Sequence, residues 1–184
     1  MKVIDLFAGV GGMSLGFSQA GFQIVYANEY DKSIADSFKK NHPNTIIDSS
    51  DIRDIDFEKV FRPFENKITV VMGGPPCQGF SQKGKRVGLK DERNFMFLQF
   101  VKVVNIIKPE FFVLENVPNI LSAENGYFKK EIINTFTKLG YDVKAKVLKT
   151  ENFGVPQKRR RAVFLGKKDR LDFELPDSNG KKQP

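Results

Sequence analysis

A single thiol, Cys77, sits in GGPPCQGFS (73–81), directly after the apolar run ITVVM. Two prolines fix the backbone ahead of it and exclude a regular helix, because each ring locks φ and removes an amide donor. A packing cysteine is a small buried hydrophobe with no use for such rigidity, or for the polar Gln78 and Ser81 beside it. A thiol held still at a strand end suits nucleophilic attack. Glu115 follows 38 residues later in ENV, closing the apolar strand FFVL. If the two strands are neighbours, it stands beside Cys77, partly out of water, as a candidate acid. In QKRRR (157–161), strand alternation sends Arg159 and Arg161 to one face and Arg160 to the other, so two guanidinium groups point at the same site.

A second constellation lies near the N-terminus. In DLFAGVGGMSLGF, Gly9, Gly11 and Gly12 allow a tight turn with close approach of backbone to ligand, and the helix that follows offers free N–H groups. Glu29 comes 20 residues after Gly9, at the end of the second strand, where a carboxylate accepts from both hydroxyls of a ribose. Asp51-Ile52 follows the third strand in the same way, with an acceptor for an adenine amino group and an apolar side chain for the ring. These residues point to an adenosine-bearing cofactor; NAD and S-adenosylmethionine both satisfy them. A nicotinamide enzyme leaves Cys77 without a role. A cysteine hydrolase needs a base, and the one histidine, His42, lies in KKNHPN, far from residue 77 in sequence.

The elements that must position these side chains are legible in the apolar pattern. KVIDLFAG predicts a strand feeding the glycine turn, MSLGFSQAG a helix ending at Gly21, QIVYANEY a strand, and DKSIADSFKKN a helix capped by Asp31. TIIDSSD, ITVVMGG and EFFVLENV predict three further strands. NFMFLQFVKVVNIIK is apolar almost all round and predicts a helix buried on most of its circumference, with Asn94 as its cap. YFKKEIINTFTKLG sets Phe128, Ile132, Ile133, Phe136 and Leu139 on one helical face and stops at Gly140. YDVKAKVLKT and RRRAVFLGKK predict two alternating strands joined by ENFGVPQK. The expected fold is α/β, Rossmann-like: a mostly parallel sheet with helices on both faces and an antiparallel last strand. Ligands in such sheets lie beyond the carboxyl ends of the strands, so every motif should follow a strand.

Composition bounds the rest. At 184 residues and 40% hydrophobic content, the chain fits one domain with a real core. No run approaches the roughly 18–20 apolar residues of a membrane span, and MKVIDLF reads as a strand start, not a charged leader. A soluble, cytoplasmic protein is the expectation. One cysteine forbids an internal disulfide, and with one histidine it cannot build a four-ligand zinc site. The net charge of +8 is uneven: residues 1–60 carry 6 basic and 9 acidic groups, residues 61–184 carry 24 and 13. Such asymmetry fits one side meeting a polyanion.

DLFAGVGG, NEYD, GGPPCQGFS, ENV and QKRRR, in this order and spacing, resemble five signature blocks of the cytosine-C5 DNA methyltransferases, and the resemblance covers nearly all of residues 3–166. It implies a Rossmann-like methyltransferase fold and transfer of a methyl group from S-adenosylmethionine to C5 of a flipped cytosine in double-stranded DNA, leaving S-adenosylhomocysteine. It implies that Cys77 adds to C6 as thiolate and that Glu115 holds or protonates N3; with no histidine adjacent in sequence, Arg159, Arg161 and local backbone N–H groups are the expected stabilisers of the thiolate. It places Phe7, Glu29, Tyr30, Asp51, Ile52, Pro76 and Met96 around the cofactor, with Ala8, Gly9, Gly11 and Gly12 in its turn. SQKGKRVGLKDERN suits a loop that closes on nucleic acid, with Gln78, Ser81, Lys83, Lys85, Arg86 and Arg93 as candidate contacts.

Members of the family usually continue past the QKRRR strand into a target-recognition region and return with a helix that closes the cofactor pocket; this chain stops at Pro184. The expected organisation is a catalytic and cofactor-binding domain over 1–175, with 176–184 a flexible tail or the start of the missing region. A split enzyme whose second chain supplies the missing parts, a shortened gene, and a silent fragment that binds a partner are the three explanations. Weak or absent activity of these residues alone is expected. A transfer-RNA cytosine-C5 methyltransferase is the nearest alternative; a non-catalytic assembly subunit is the alternative from another class. A bacterial restriction-modification system is the expected setting.

Overall fold

The computed structural model describes residues 1–76, 95–170, 172 and 174–178. Among them, seven strands form one sheet in the order β3-β2-β1-β4-β5-β7-β6. The strands are β1 (Lys2–Leu6), β2 (Gln23–Asn28), β3 (Ile46–Asp48), β4 (Val70–Gly73), β5 (Phe111–Asn116), β6 (Tyr141–Lys149) and β7 (Arg160–Lys168). The first five pair in parallel, and β7 is antiparallel to both β5 and β6. The expected mostly parallel sheet with an antiparallel last strand is what forms. Strand order reverses between β1 and β4, and crevices open at the carboxyl ends beside such a switch point.

Helices cover both faces. On one side α1 (Gly12–Gln19) and α2 (Lys32–Asn41) lie over the β1 and β2 region, where Val3, Ile24, Val70 and Met72 meet Met13 and Phe17, and Ala27 meets Phe38. On the other, α3 (Phe57–Phe61), α4 (Phe95–Ile107) and α5 (Ala123–Thr137) cover Ile4, Leu6, Val71, Phe112, Leu114 and Phe164. The near-continuous apolar runs of β1 and β4 reflect this double coverage. Asp31 caps α2 as expected, accepting from the Ser33 and Ile34 amides. In α4, Phe97, Gln99, Phe100, Val103, Val104 and Ile107 are buried, leaving Lys102 and Asn105 in water; its expected cap Asn94 lies outside the described residues.

Two features went beyond the sequence pattern. The short α3, capped by Asp56, has too few turns to show periodicity. The fifth helix starts earlier than expected, across a kink where Glu124, Asn125 and Gly126 all take positive φ. Its apolar face seats as anticipated: Phe136 stacks on Phe112 at 3.9 Å, and Phe97 and Phe100 meet it edge-on. Gly166 in β7 is required here, because a Cβ there would fall 1.9 Å from the Phe112 ring. This aromatic block fixes β5 between α4, α5 and β7, and so sets where Glu115 stands. Among the described residues no helix is long and apolar enough to cross a membrane.

Candidate active site

The carboxyl ends of β1, β2, β3 and β4 surround a cleft of about 420 Å³. Phe7 follows β1, Glu29 and Tyr30 follow β2, Asp51 and Ile52 follow β3, and Gly74 and Pro76 follow β4; Met96, on the first turn of α4, also lines it, with Asn28 and Arg53. Phe7 and the six residues expected around a cofactor beyond the glycine turn are thus brought to one cavity. Of the turn itself, Phe7 lines the cleft, while Ala8, Gly9, Gly11 and Gly12 shape the backbone behind it.

That turn is built by positive-φ backbone and by polar groups that hold it. Phe7 has φ 58°, a conformation that is costly for a bulky side chain and is kept only where the surroundings impose it. Gly9 and Gly11 follow at φ 57° and 91°. Glu29 Oε2 accepts from the Gly9 amide (2.9 Å) and Oε1 from the Asp31 amide (2.9 Å), so one carboxylate ties the glycine turn to the start of α2. Asn41 Nδ2 donates to Val10 O (2.9 Å), and buried His42 donates through Nε2 to Gly11 O (3.1 Å). A Cβ on Gly11 would fall 2.3 Å from that nitrogen. His42, which the sequence leaves in a remote loop, is a pin beneath the turn; the separation of 31 residues hides it from any local pattern.

Asp5, fully buried in β1, accepts from Ser14 Oγ of α1 at 2.7 Å, while its other oxygen has no partner among the described residues. Burial, opposed by the Ser14 hydrogen bond and aided by the charge of Glu29, pushes its carboxyl up to about 7.

At the next strand end, Asn28 Nδ2 donates to Asp48 O and Ser50 O, and Tyr26 Oη donates to Asp48 Oδ2 (2.7 Å). These bonds hold the β3 exit against β2 and present Asp51. Arg53 pairs with both oxygens of Asp51, and hydrogen bonds from Arg53 lower the Asp51 carboxyl below its ordinary range. Ile52 is buried at the cleft floor.

Glu115 closes β5 next to this cleft. Arg161 Nε donates to its Oε1 at 2.7 Å, and Arg159 Nη2 lies 3.6 Å from the same oxygen. Strand alternation brought both guanidinium groups to one face, as expected. They reach it by a route that breaks the rule that motifs follow strands: QKRRR precedes β7, and the antiparallel direction of β7 returns it to the end where β5 stops. A Cβ on Gly74 would sit 3.2 Å from Glu115 Oε2, so Gly74 is the wall shared by cleft and acid. Gly73, in turn, lets β4 pass β1, since a Cβ there would meet Leu6 O at 2.6 Å. Asn116 Nδ2 donates to Pro75 O (2.9 Å), fastening the Pro-Pro segment to β5. Cys77, Gln78, Ser81, Lys83, Lys85, Arg86 and Arg93 lie outside the described residues. Sequence reasoning missed His42, Asn28, Gly74, Arg53 and Asn116 as parts of this site; the doubled glycine was the one local signal for any of them.

A parallel sheet with its crevice at the β1/β4 switch and a terminal antiparallel hairpin defines the Rossmann-like methyltransferase class. A solved protein encoded within an E. coli prophage, described as a DNA modification methyltransferase, superposes with TM-score 0.78 at 33% identity, over 96% of this chain and 49% of that one. The S. pombe Dnmt2 methyltransferase shares the fold (TM-score 0.72, 24% identity, 97% of this chain and 53% of that one). The chain belongs to the C-5 cytosine-specific DNA methylase family, which it matches over residues 1–184. It is 42% identical to the Type II methyltransferase M1.HphI of Haemophilus parahaemolyticus (96% of this chain, 48% of that protein) and 40% identical to M.FnuDI of Fusobacterium nucleatum (96% and 50%). It spans about half the length of these relatives. Family and fold together imply the use of S-adenosylmethionine.

Proposed function

We propose that this chain carries the cofactor cleft and catalytic acid of a DNA (cytosine-5-)-methyltransferase acting on a flipped cytosine in double-stranded DNA. The observation that carries this reading is the shared wall at Gly74: a ligand filling the cleft and a base held at Glu115 come within one residue of each other. The cleft volume falls within the range of small-molecule sites. Each carboxylate oxygen accepts more than one hydrogen bond, so Glu29 retains capacity for ribose hydroxyls and Asp51 for an adenine amino group. Phe7, Ile52, Pro76 and Met96 supply apolar surface for the base. S-adenosylmethionine, when bound, supplies a methyl group on a sulfonium.

In this reading the target base leaves the stack, because C6 and C5 are closed to attack within a duplex. Cys77, as thiolate, forms a bond to C6. The displaced π electrons spread over C5, C4 and N3, where Glu115 holds or protonates the ring. With S-adenosylmethionine bound, its sulfonium would supply the methyl group to C5; loss of the C5 proton to solvent and breaking of the bond from Cys77 to C6 would then release 5-methylcytosine. Arg161 and Arg159 orient Glu115 for this work. Residues 1–175 form the catalytic and cofactor-binding part. Likeness to Type II methyltransferases supports DNA over transfer RNA as substrate and a bacterial restriction-modification setting in the cytoplasm.

The test is covalent trapping on a duplex containing 5-fluorocytosine with S-adenosylmethionine. The adduct accumulates with time, so even a slow enzyme scores. An adduct stable to denaturation, absent in Cys77→Ser and cofactor-dependent, is expected. Calorimetric binding of S-adenosylhomocysteine with no adduct after prolonged incubation, once a target-recognition region from a relative is supplied, would refute the catalytic half of the proposal and leave the cofactor half standing.

A further inference from the structure

The β6–β7 hairpin carries its positive charge in two different ways along its length. Along the body of the hairpin, from Phe111 up to the level of Glu115, Lys167 pairs with Asp172 (3.7 Å), Lys144 with Glu174 (2.5 Å), and Lys146, in line with Glu115 through Val163, with Asp177 (2.6 Å). The segment after β7 lays these acids beside the strands, and Leu175 is buried along with it. At the tip, past the level of Glu115, no such compensation is found among the described residues. Lys149 and Arg160 stand directly opposite each other in the ladder, both exposed, and neither has an ion-pair partner among the described residues. Glu151, two residues from Lys149, makes no ion pair with it, and exposed Lys158 has none either. Like charges at directly opposed positions destabilise a strand pair. Here the repulsion is left in place at the mouth of the site.

The turn that displays these cations is rigidly tied. Thr150 N donates to Arg159 O (2.9 Å), Thr150 Oγ1 donates to Gln157 O (2.5 Å), and Gly154 takes the left-handed conformation that closes the loop. Alternation separates two sets of cations: Arg159 and Arg161 turn toward Glu115, and Lys149 and Arg160 turn to the opposite face of the hairpin tip. A polyanion crossing the tip would relieve the repulsion while its neighbouring unit sits against Glu115.

We propose that Lys149, Lys158 and Arg160 form a ledge that binds backbone phosphates of the DNA strand flanking the base held at Glu115. The ledge rests on the DNA reading given above. It positions the strand and carries no base information, since phosphate contacts fix register without reading sequence.

The experiment is a salt titration of binding to a fluorescent duplex, followed by anisotropy, with the full chain. In Lys149→Gln/Arg160→Gln the slope of log affinity against log salt should fall by about 2, with roughly tenfold or greater loss near 0.1 M salt. Lys144→Gln/Lys146→Gln, whose charges are already neutralised, should keep the wild-type slope, and Lys149→Arg/Arg160→Lys should restore it. Matched melting temperatures and unchanged S-adenosylhomocysteine binding exclude a folding explanation. Wild-type binding with an unchanged slope in Lys149→Gln/Arg160→Gln overturns the ledge alone, as does equal loss in the charge-retaining variant. No salt-dependent binding by the wild-type chain overturns the ledge together with the DNA side of the functional reading, while S-adenosylhomocysteine binding would still stand.

Discussion

At the glycine turn the acid Glu29 is held by backbone, through the amides of Gly9 and Asp31; at β5 the acid Glu115 is held by side chains, through Arg161 and Arg159. The first arrangement depends on unusual φ angles and close approaches, with His42 pressed beneath Gly11. The second depends on charge, since β5, β6 and β7 are ordinary strands whose tips carry Glu115, Arg159 and Arg161. A site held by backbone geometry resists salt and fails on small changes of shape. A site held by charge tolerates shape and responds to substitution of its cations.

The comparison breaks most visibly at Gly11. Gly11→Ala must place a Cβ against His42 and hold a left-handed φ, so we expect a loss of roughly 4 kcal/mol, measured by urea unfolding. A loss below about 1 kcal/mol would mean that His42 yields easily and that the turn is not set by sterics.

Buried Asp5, behind the same turn, gives the next effect. Its carboxyl is raised from 3.8 to about 7 on folding, so its contribution to stability is full below about pH 4 and is lost as pH rises through 7. Between pH 5 and 8 the wild-type chain should lose on the order of 2–3 kcal/mol from this group, a loss that Asp5→Asn should not show. Parallel pH dependence in the two proteins would show that Asp5 does not govern it.

The charge-held half is tested by Arg161→Gln. With the 2.7 Å contact gone, Glu115 keeps, among the described residues, the longer Arg159 contact, and formation of the 5-fluorocytosine adduct should slow by about 30-fold at unchanged stability. Arg161→Lys should recover part of the rate. If Arg161→Gln instead unfolds the chain, Glu115 and Arg161 are a structural pair, and the distinction between the halves is lost.

Much of the fold was legible because its strands are short apolar runs and its helices have clear faces. Asp31 at the head of DKSIADSFKKN marked a helix start, and the all-round apolar NFMFLQFVKVVNIIK marked a helix wedged between layers. The cleft was legible for the same reason: in a parallel sheet every strand ends on the same side, so acids after strands two and three converge without any knowledge of contacts. The α3 turn and the early start of α5 were not legible, since one is too short to show a period and the other begins across three residues of positive φ. The role of His42 was not legible for a different reason: the carbonyl it holds, that of Gly11, lies 31 residues away in sequence.

Sequence alone determined the chemical inventory: one thiol in a proline-stiffened segment, an acid at the end of an apolar strand, acids after strands two and three, and a glycine turn. It also determined the order of the strands and of the longer helices, because local periodicity and turn residues act over a few residues. Tertiary structure alone decided which of these groups meet. That Gly74 joins the cleft to Glu115, that Arg161 reaches Glu115 by an antiparallel return, and that His42 props Gly11 are contacts between segments tens of residues apart. Such contacts are fixed by the packing of the whole core around the sheet, which no short stretch of sequence encodes by itself.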